Sequence, residues 1–259
     1  MKEARRSERA MATDDELAFL ATYDATRYPR PSVAVDVVLL TVRDGALFAL
    51  LRRRDERPHL GRWAVPGSFL RLDESLDAAA TRVLREKADL RDVFTEQLYT
   101  FGELDRDPRT RVIAVAYYSL VERAMLEQAA ARNGDEGLVL ARLTIPWRGE
   151  TGGRVGARTN ERGALPLAFD HADILGMAVK RIRGKLDYAP IGFELLPDRF
   201  SLRDLRLVHE AILGRPLNKD SFRRRILDRG LVEPTGQRDT GVGHRPPELY
   251  RFADRSAEQ

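Results

Sequence analysis

One stretch in the first half of the chain places charged side chains at spacings that suit chemistry on a helix surface. Residues 63–90 have the sequence WAVPGSFLRLDESLDAAATRVLREKADL, and a predicted helix within it carries Val83, Glu86 and Lys87. At 100° per residue, these three positions fall in one arc of roughly 100°. Magnesium needs several oxygen ligands in near-octahedral order. Because the arc offers one carboxylate beside an ammonium group, the sequence predicts no metal site here.

The same stretch resembles the Nudix box, whose pattern is G-x5-E-x7-R-E-U-x-E-E-x-G-U, with U an apolar residue. Glu74 and Arg82 match at the right spacing, and the other matches are Leu84, Glu86 and Leu90. The departures are Ser68 for the first Gly, Val83 for the Glu after Arg, Lys87 for the last Glu and Asp89 for the closing Gly. In working Nudix enzymes this arc holds Mg²⁺ against a pyrophosphate. The resemblance therefore implies a retained scaffold that has lost its hydrolytic metal site.

Within this resemblance, basic side chains would replace the charge of the metal beside a bound diphosphate. Lys87 is the principal candidate. The predicted ligand-binding residues are Arg53, Arg71, Glu86, Lys87, Arg109 and Arg111. For Glu86, Arg109 and Arg111, the last two in the DRDPRTR segment, the alternative is that they are only solvated. Glu74 and Arg82 are predicted to pair and to hold the loop on the helix.

A second group of basic residues lies near the C-terminus. From residue 200 to residue 252 the pattern predicts helix, turn, helix and two strands joined by a glycine-rich loop. The second helix would bury Phe222 and Ile226 and turn a basic face outward. This is the outline of a winged helix-turn-helix, whose second helix enters the major groove of DNA. The alternatives are a solvated face or a surface for protein contacts. The predicted DNA-binding residues are Lys219, Ser221, Arg223, Arg224, Arg225, Arg238, His244 and Arg245.

The composition narrows the class of protein. The chain has 259 residues, of which 43% are hydrophobic and 32% charged, with a formal net charge of +4, as expected for one or two globular domains. The sequence contains no apolar run of membrane-spanning length and no secretory signal, which predicts a cytoplasmic protein without a membrane partner. Cysteine is absent and the four histidines are scattered, which argues against disulfides and against a Cys- or His-based metal site.

Hydrophobic patterning predicts an α/β fold before the C-terminal unit. Strands are expected at 32–42, 47–51, 97–101, 111–121 and 138–145, and helices from Thr13, at 124–132 and at 170–186. Trp63 and Phe101 are predicted core residues, with stacking on an adenine ring as the alternative for Phe101. Residues 66–68 are a predicted turn, and Asp170 is a predicted helix cap. The Gly- and Arg-rich segment 146–163 is predicted to be an exposed, mobile loop.

These elements give a prediction of domain organisation. Residues 1–12 are expected to be disordered. Residues 13–187 would form a Nudix-like effector-binding domain, an α/β/α sandwich with a mixed sheet, that includes a linker helix at 170–186. Residues 191–253 would form the small winged helix-turn-helix domain.

The combination is similar to the Nudix-related transcriptional regulators of NAD metabolism. The stretches that carry this similarity are TFGELDRDPRTRV, PLAFDHADIL and ILGRPLNKDSFRRRILDRGLVEPTG. The resemblance implies a homodimeric repressor of NAD metabolism genes that binds a palindromic operator in double-stranded DNA. It implies ADP-ribose, or a related NAD-derived nucleotide, as the effector in a catalytically inactive Nudix domain, with no cofactor required. The alternative is an active Mg²⁺-dependent hydrolase of ADP-ribose with an accessory winged helix.

Overall fold

The chain divides into two compact units, the first ending at Pro31 and the second beginning at Ser32. The computed structural model describes residues 13–132, 137–186, 189–239 and 246–253, so the predicted disorder of residues 1–12 lies outside the described residues. In the first unit, helix α1 (Asp14–Thr22) is capped at its start by Thr13. The Thr13 hydroxyl accepts the Glu16 N–H, and the Glu16 carboxylate accepts the Thr13 N–H. This capping box confirms the predicted helix start.

A nine-stranded mixed sheet forms the centre of the second unit. Its strands are β1 (Ser32–Arg43), β2 (Ala46–Arg53), β3 (Trp63–Ala64), β4 (Gly67–Phe69), β5 (Glu96–Phe101), β6 (Val112–Leu120), β7 (Leu138–Thr144), β8 (Gly156–Thr159) and β9 (Gly163–Leu165). The main order is β5-β6-β1-β2-β7-β8-β9, while β3 pairs with β2 and β4 with β1. Strand β1 runs parallel to β6 and antiparallel to β2. Asp44 and Gly45 join β1 to β2 with φ of 49° and 70°, the left-handed values that an Asp-Gly hairpin uses.

Helices cover both faces of the sheet. On one face, α2 (Leu76–Ala88) and α3 (Arg123–Arg132) pack over an apolar cluster that includes Val35, Val83 and Leu126. On the other face, α4 (His171–Lys185) packs over a cluster that includes Trp63. This arrangement confirms the predicted α/β/α sandwich and the core position of Trp63. Within the described ranges, no helix combines the length and the apolar character that a bilayer crossing requires.

The C-terminal part has the predicted winged-helix elements. A short 3-10 turn (Phe193–Leu195) precedes α5 (Leu202–Leu213), α6 (Lys219–Asp228) and the antiparallel pair β10 (Val232–Arg238) and β11 (Glu248–Phe252). Ser201 and Asp204 form a capping box at the start of α5, and Gly214 ends that helix with φ of 68°. Phe222 and Ile226 of α6 are buried in a small apolar cluster against these strands.

Three local predictions are wrong. Residues 66–68 do not form a turn, because Gly67 and Ser68 belong to β4 and pair with β1. The segment 146–163 is not one exposed loop, because β8 lies within it and pairs with β7, and Val155 and Ala157 are buried. Asp170 stands at the cap position of α4, but its side chain makes no capping hydrogen bond. Its carboxylate accepts instead from Arg106, which satisfies both oxygens.

Candidate functional site

The segment from β4 to α2 is held together by one buried arginine. Arg82 is 6% exposed, and its Nε and Nη2 donate to the two carboxylate oxygens of Glu74 at 2.9 and 2.6 Å. Its guanidinium also donates to Ser68 Oγ at 3.2 Å and to the Phe69 carbonyl at 3.0 Å. The hydrogen bonds from Arg82 to the Glu74 carboxylate, together with one from the Arg71 N–H, lower the pKa of Glu74 to about 2. Arg82 thus ties the loop and β4 to α2, and Ser68 takes part in this network.

The arc that holds metal in Nudix enzymes has a different chemistry here. Val83 is fully buried in the core under α2, so its side chain faces the sheet rather than a ligand. Glu86 lies among three guanidinium groups, with Arg82 Nη1, Arg71 Nη2 and Arg85 Nη2 at 3.5, 3.6 and 3.7 Å. These residues do not fit Mg²⁺. Among the residues that the structure describes, no three His, Asp or Glu side chains converge on a possible metal position.

A cleft of about 280 Å³ opens between the end of β2, β4, α2 and the start of α4. The side chains around it are mostly charged. The cationic ones are Arg52, Arg53, Arg54, Lys87, Arg106 and Arg109, and the acidic ones are Asp36, Asp55, Glu56 and Asp107. The structure therefore brings three of the predicted ligand-binding residues, Arg53, Lys87 and Arg109, to one cleft. The other three predicted residues do not line it: Arg71 and Glu86 contact each other, and Arg111 donates to the Glu103 carbonyl at 2.8 Å.

A buried polar cluster forms the floor of this cleft. Arg106 donates to both oxygens of Asp170, at 2.9 and 2.7 Å, and its Nη2 lies 3.7 Å from Asp36. Burial raises the pKa of Asp36 to about 7, although the Arg106 charge opposes this. His171 Nδ1 accepts the Val65 N–H at 2.9 Å, and burial lowers the pKa of His171 to about 4. The floor therefore holds a neutral imidazole and a carboxyl group that titrates near neutrality.

An aromatic wall stands beside the floor. The Phe169 ring lies 4.8 Å from the Arg54 guanidinium and 5.9 Å from that of Arg109. Arg109 also lies 5.3 Å from the Phe69 ring and donates to both oxygens of Asp107, at 3.0 and 2.8 Å. The Asp107 carboxylate fixes the orientation of the Arg109 fork. The wall thus places two aromatic rings and two guanidinium groups beside the cleft.

We expect Asp36→Asn to remove a loss of stability that the wild-type protein undergoes as pH rises. Native Asp36 holds its proton up to a pKa of about 7, whereas the unfolded residue ionises near 3.8. The native state therefore binds more protons between these values, and this contribution to stability is lost as pH rises through that window. Asn stays neutral, so the variant should gain on the order of 1–3 kcal/mol relative to wild type between pH 5 and pH 8. Urea unfolding at both pH values measures the free energy of unfolding of the two proteins. The same difference between variant and wild type at both pH values would contradict the prediction.

The cleft contains residues that the sequence-based prediction missed. Asp36 is the one acidic residue in a mostly apolar strand, and that position was a usable signal. Arg106 and Asp107 lie in the DRDPRTR segment, from which only the later arginines were chosen. Phe169 and His171 belong to PLAFDHADIL, which the family similarity had singled out as a stretch but not by residue. They reach the cleft because residues 166–168 pair with β3, through hydrogen bonds between Trp63 and the Pro166 and Ala168 backbone.

The winged helix exposes the basic face that the sequence predicts. Phe222 and Ile226 point inward, and Lys219, Ser221, Arg223, Arg224 and Arg225 are all exposed on α6. Arg238 is exposed at the end of β10, where the wing begins. His244 and Arg245, the other predicted wing residues, lie outside the described residues. The Arg225 guanidinium lies 5.7 Å from the Phe222 ring.

Comparison with known proteins matches both halves of the chain. Residues 30–144 match the NUDIX domain family, and residues 192–252 match the NrtR DNA-binding winged helix domain. The chain is 36% identical over 241 residues to the ADPR responsive transcriptional repressor NtrR of Acinetobacter baylyi, covering 92% of this chain and 88% of that protein.

Solved structures agree with this match. The crystal structure of Shewanella oneidensis NrtR complexed with a 27mer DNA is 31% identical, with a TM-score of 0.69 over 85% of this chain and 93% of that chain. A MutT/nudix family protein from Enterococcus faecalis shares the fold at 22% identity, with a TM-score of 0.73 over 97% of both chains. This chain therefore belongs to the NrtR family of transcriptional regulators, in which a Nudix domain precedes a DNA-binding winged helix.

Proposed function

We propose that this chain represses genes of NAD metabolism by binding operator DNA through α6 and the wing. ADP-ribose, or a related NAD-derived nucleotide, controls it from the basic cleft as an effector, with no other cofactor. The observation that carries the proposal is a cleft with six cationic side chains in the same chain as an exposed basic helix of a helix-turn-helix. A repressor of this kind works beside the chromosome, in the cytoplasm. The Acinetobacter relative is named an ADPR responsive repressor, which supports the choice of effector.

The charges of the cleft suit a diphosphate. Lys87 projects into it from α2, Arg53 from the end of β2, and Arg109 from the loop before β6. Oriented guanidinium groups bind phosphate oxygens bidentately, and an ammonium adds a point charge. Val83 and Lys87 stand where Nudix enzymes carry metal-binding carboxylates. The cleft therefore binds the nucleotide without cleaving it at ordinary enzyme rates.

A gel-shift titration tests the function as a whole. Duplex DNA from the upstream region of the chain's own gene is titrated with protein, with and without ADP-ribose and NAD. We expect binding that weakens steeply with salt and that ADP-ribose changes at micromolar concentration. If the protein fails to bind any duplex in a salt-sensitive manner, the winged helix serves protein contacts instead and the repressor function is wrong.

The proposed operator is palindromic and the proposed repressor is a homodimer. One winged helix contacts few base pairs, and two half-sites about one helical turn apart multiply specificity. Light scattering at micromolar concentration measures the oligomeric state. A monomer both free and on DNA would contradict this part of the proposal.

We expect Lys87→Glu to lower the affinity for ADP-ribose at least roughly tenfold in the absence of Mg²⁺. The substitution removes a cation from the cleft and turns a carboxylate toward the diphosphate, which replaces attraction with repulsion. Isothermal titration calorimetry measures the affinity.

Arg85→Glu is the matched control for this variant. Arg85 lies on the same helix, its side chain is 57% exposed, and it does not line the cleft. The same charge reversal there should change the affinity by less than about threefold, because exposed charges are screened by salt. If Lys87→Glu binds as tightly as wild type without Mg²⁺, Lys87 does not take the place of the metal.

Hydrolysis of ADP-ribose is the alternative function, and one observation favours it. Four carboxylates line the cleft, at Asp36, Asp55, Glu56 and Asp107, although they do not include the box positions. A Mg²⁺-dependent turnover assay on ADP-ribose separates the two functions. Turnover above roughly 1 s⁻¹ would overturn the purely regulatory function.

A further inference from the structure

The glycine-rich segment between β7 and β8 forms a strap along helix α4. We define the strap as residues 147–155. The Val155 N–H donates to the Ala172 carbonyl at 2.9 Å, near the start of the helix. Further along, a Cβ added at Gly176 would lie 1.9 Å from the Gly153 carbonyl oxygen, and one added at Gly184 would lie 2.9 Å from Glu150. Gly176 therefore lets the strap backbone pack directly on the helix, and Gly184 leaves room for the Glu150 carboxylate.

Arg183 joins this strap to the winged helix. The residue is only 4% exposed, and its Nη1 donates to the Gly149 carbonyl of the strap at 2.9 Å. Its Nε donates to the Ile212 carbonyl of α5 at 2.7 Å. The Trp147 ring lies 4.8 Å from the guanidinium, and the Trp147 Nε1–H donates to the Gly153 carbonyl at 3.1 Å. One buried guanidinium thus connects α4, the strap and α5.

The two ends of α4 lie at the two functional regions of the chain. At its start, Asp170 accepts both hydrogen bonds from Arg106, and His171 lines the cleft. At its end, Arg183 holds the last turn of α5. That turn closes at Gly214, whose φ of 68° directs the chain toward α6. A helix of 15 residues spans about 22 Å, and its apolar side is buried on the sheet, so it forms one continuous connection between these regions.

We propose that α4 and the strap transmit occupancy of the cleft to the DNA-binding helix, with Arg183 as the positioning residue for α5 and α6. The proposal rests on the proposed function and names the route by which the nucleotide acts on DNA binding. A ligand that binds Arg106 shifts the start of α4 through the hydrogen bonds from Arg106 to Asp170, and the Arg183 guanidinium carries that shift to the Ile212 carbonyl. This route assigns a role to the glycine-rich segment that the sequence left unexplained.

We expect the Arg183→Met variant to lose most of the effect of ADP-ribose on operator affinity. Operator affinity is measured with and without saturating ADP-ribose in the full-length chain, and ADP-ribose affinity is measured separately by calorimetry. In wild type we expect ADP-ribose to change operator affinity by a factor of about ten or more, within the usual range of coupling. In Arg183→Met the factor should fall below about threefold, while the affinity for ADP-ribose stays within about threefold of wild type. A merely structural residue would lower both affinities and leave the factor unchanged.

Arg181→Met is the matched control. Arg181 lies on the same helix and its Nη2 also donates to a backbone carbonyl, that of Leu98, at 2.7 Å, but this carbonyl belongs to the sheet. In Arg181→Met we expect ADP-ribose to change operator affinity by the same factor as in wild type. An unchanged factor in Arg183→Met overturns the inference alone. The absence of any ADP-ribose effect on operator affinity in wild type overturns the proposed function, and the inference with it.

Hydrogen exchange tests the same route without a substitution, in case Arg183→Met does not fold. The Gly214 N–H bonds to the Glu210 carbonyl at the end of α5. We expect ADP-ribose to change the exchange rates of amides 210–214 at least roughly threefold. Unchanged rates at these amides, under conditions where ADP-ribose is bound, would overturn the inference.

Discussion

Arg82→Met should lower the free energy of unfolding by about 3–5 kcal/mol, the usual cost of breaking a buried ion pair. Arg82 is 6% exposed and its partner Glu74 is 12% exposed, so the substitution leaves a largely covered carboxylate without its cation. The substitution also removes the donors to Ser68 Oγ and to the Phe69 carbonyl. Met fills most of the volume, so the loss comes from the polar groups rather than from a cavity. Urea unfolding at pH 7 measures it.

Arg85→Met is the control for this prediction. Arg85 lies on the same helix with its side chain 57% exposed, and its contact to Glu86 is at 3.7 Å. Exposed ion pairs contribute little, so a change within about 0.5 kcal/mol is expected. A change of less than about 1 kcal/mol in Arg82→Met would show that the Nudix-box pair does not hold the loop on α2.

The pH dependence of the same variant gives a second criterion. Hydrogen bonds from Arg82 lower the native pKa of Glu74 to about 2, below its usual value of 4.5. In wild type the ionised Glu74 contributes stability that is fully present above pH 4.5. This stability is lost as pH falls toward 2, because the unfolded state then binds more protons. In Arg82→Met the native pKa returns toward its usual value. The variant should therefore lose less stability than wild type between pH 5 and pH 3.

The local elements of this fold could be predicted because their signals are local. Thr13 with Glu16 and Ser201 with Asp204 are capping pairs three residues apart, and both caps form in the structure. The Asp44-Gly45 turn follows from its residue types alone. The same holds for the inward positions of Phe222 and Ile226, which helical periodicity determines.

The errors have long-range causes. Asp170 does not cap α4 because Arg106, 64 residues earlier, takes both carboxylate oxygens. Strand β8 was missed because its pairing with β7 and the packing of its neighbours on α4 depend on contacts that no local pattern records. Helix geometry placed Val83 on one arc with Glu86 and Lys87, but only the packing of α2 on the sheet shows that Val83 is buried.

The candidate site also divides into residues that local patterns predict and residues that only long-range contacts bring together. Lys87 and Arg53 were predicted from the box and from the end of a strand, and both line the cleft. Arg71 and Glu86 were predicted by the same reasoning, but they form an ion pair on the outer side of α2. The floor of the cleft, from Asp36 to His171, joins segments more than 100 residues apart, as the bond between Val65 and His171 shows. Only the folded chain brings these groups together.

Arg224→Ala should weaken operator binding by roughly 10- to 100-fold, which corresponds to about 1–3 kcal/mol. On α6, Phe222 and Ile226 define the buried side, and position 224 lies nearly opposite to them. In a winged helix the outward face of the second helix contacts DNA. We therefore expect Arg224 to be the side chain of α6 that reaches farthest into the groove and to contact a phosphate or a guanine edge. Fluorescence anisotropy at fixed salt measures the affinity.

The salt dependence identifies the partner of Arg224 and completes the test. If it contacts a phosphate, affinity for operator and unrelated duplex falls alike, and the slope of log affinity against log salt decreases by about 0.9. If it contacts a base edge, most of the loss is confined to the operator. Arg132→Ala is the control, because it removes the same charge from an exposed side chain of α3 in the Nudix domain, and it should leave affinity within about twofold. Operator affinity in Arg224→Ala equal to wild type at every salt concentration would show that α6 does not enter the groove.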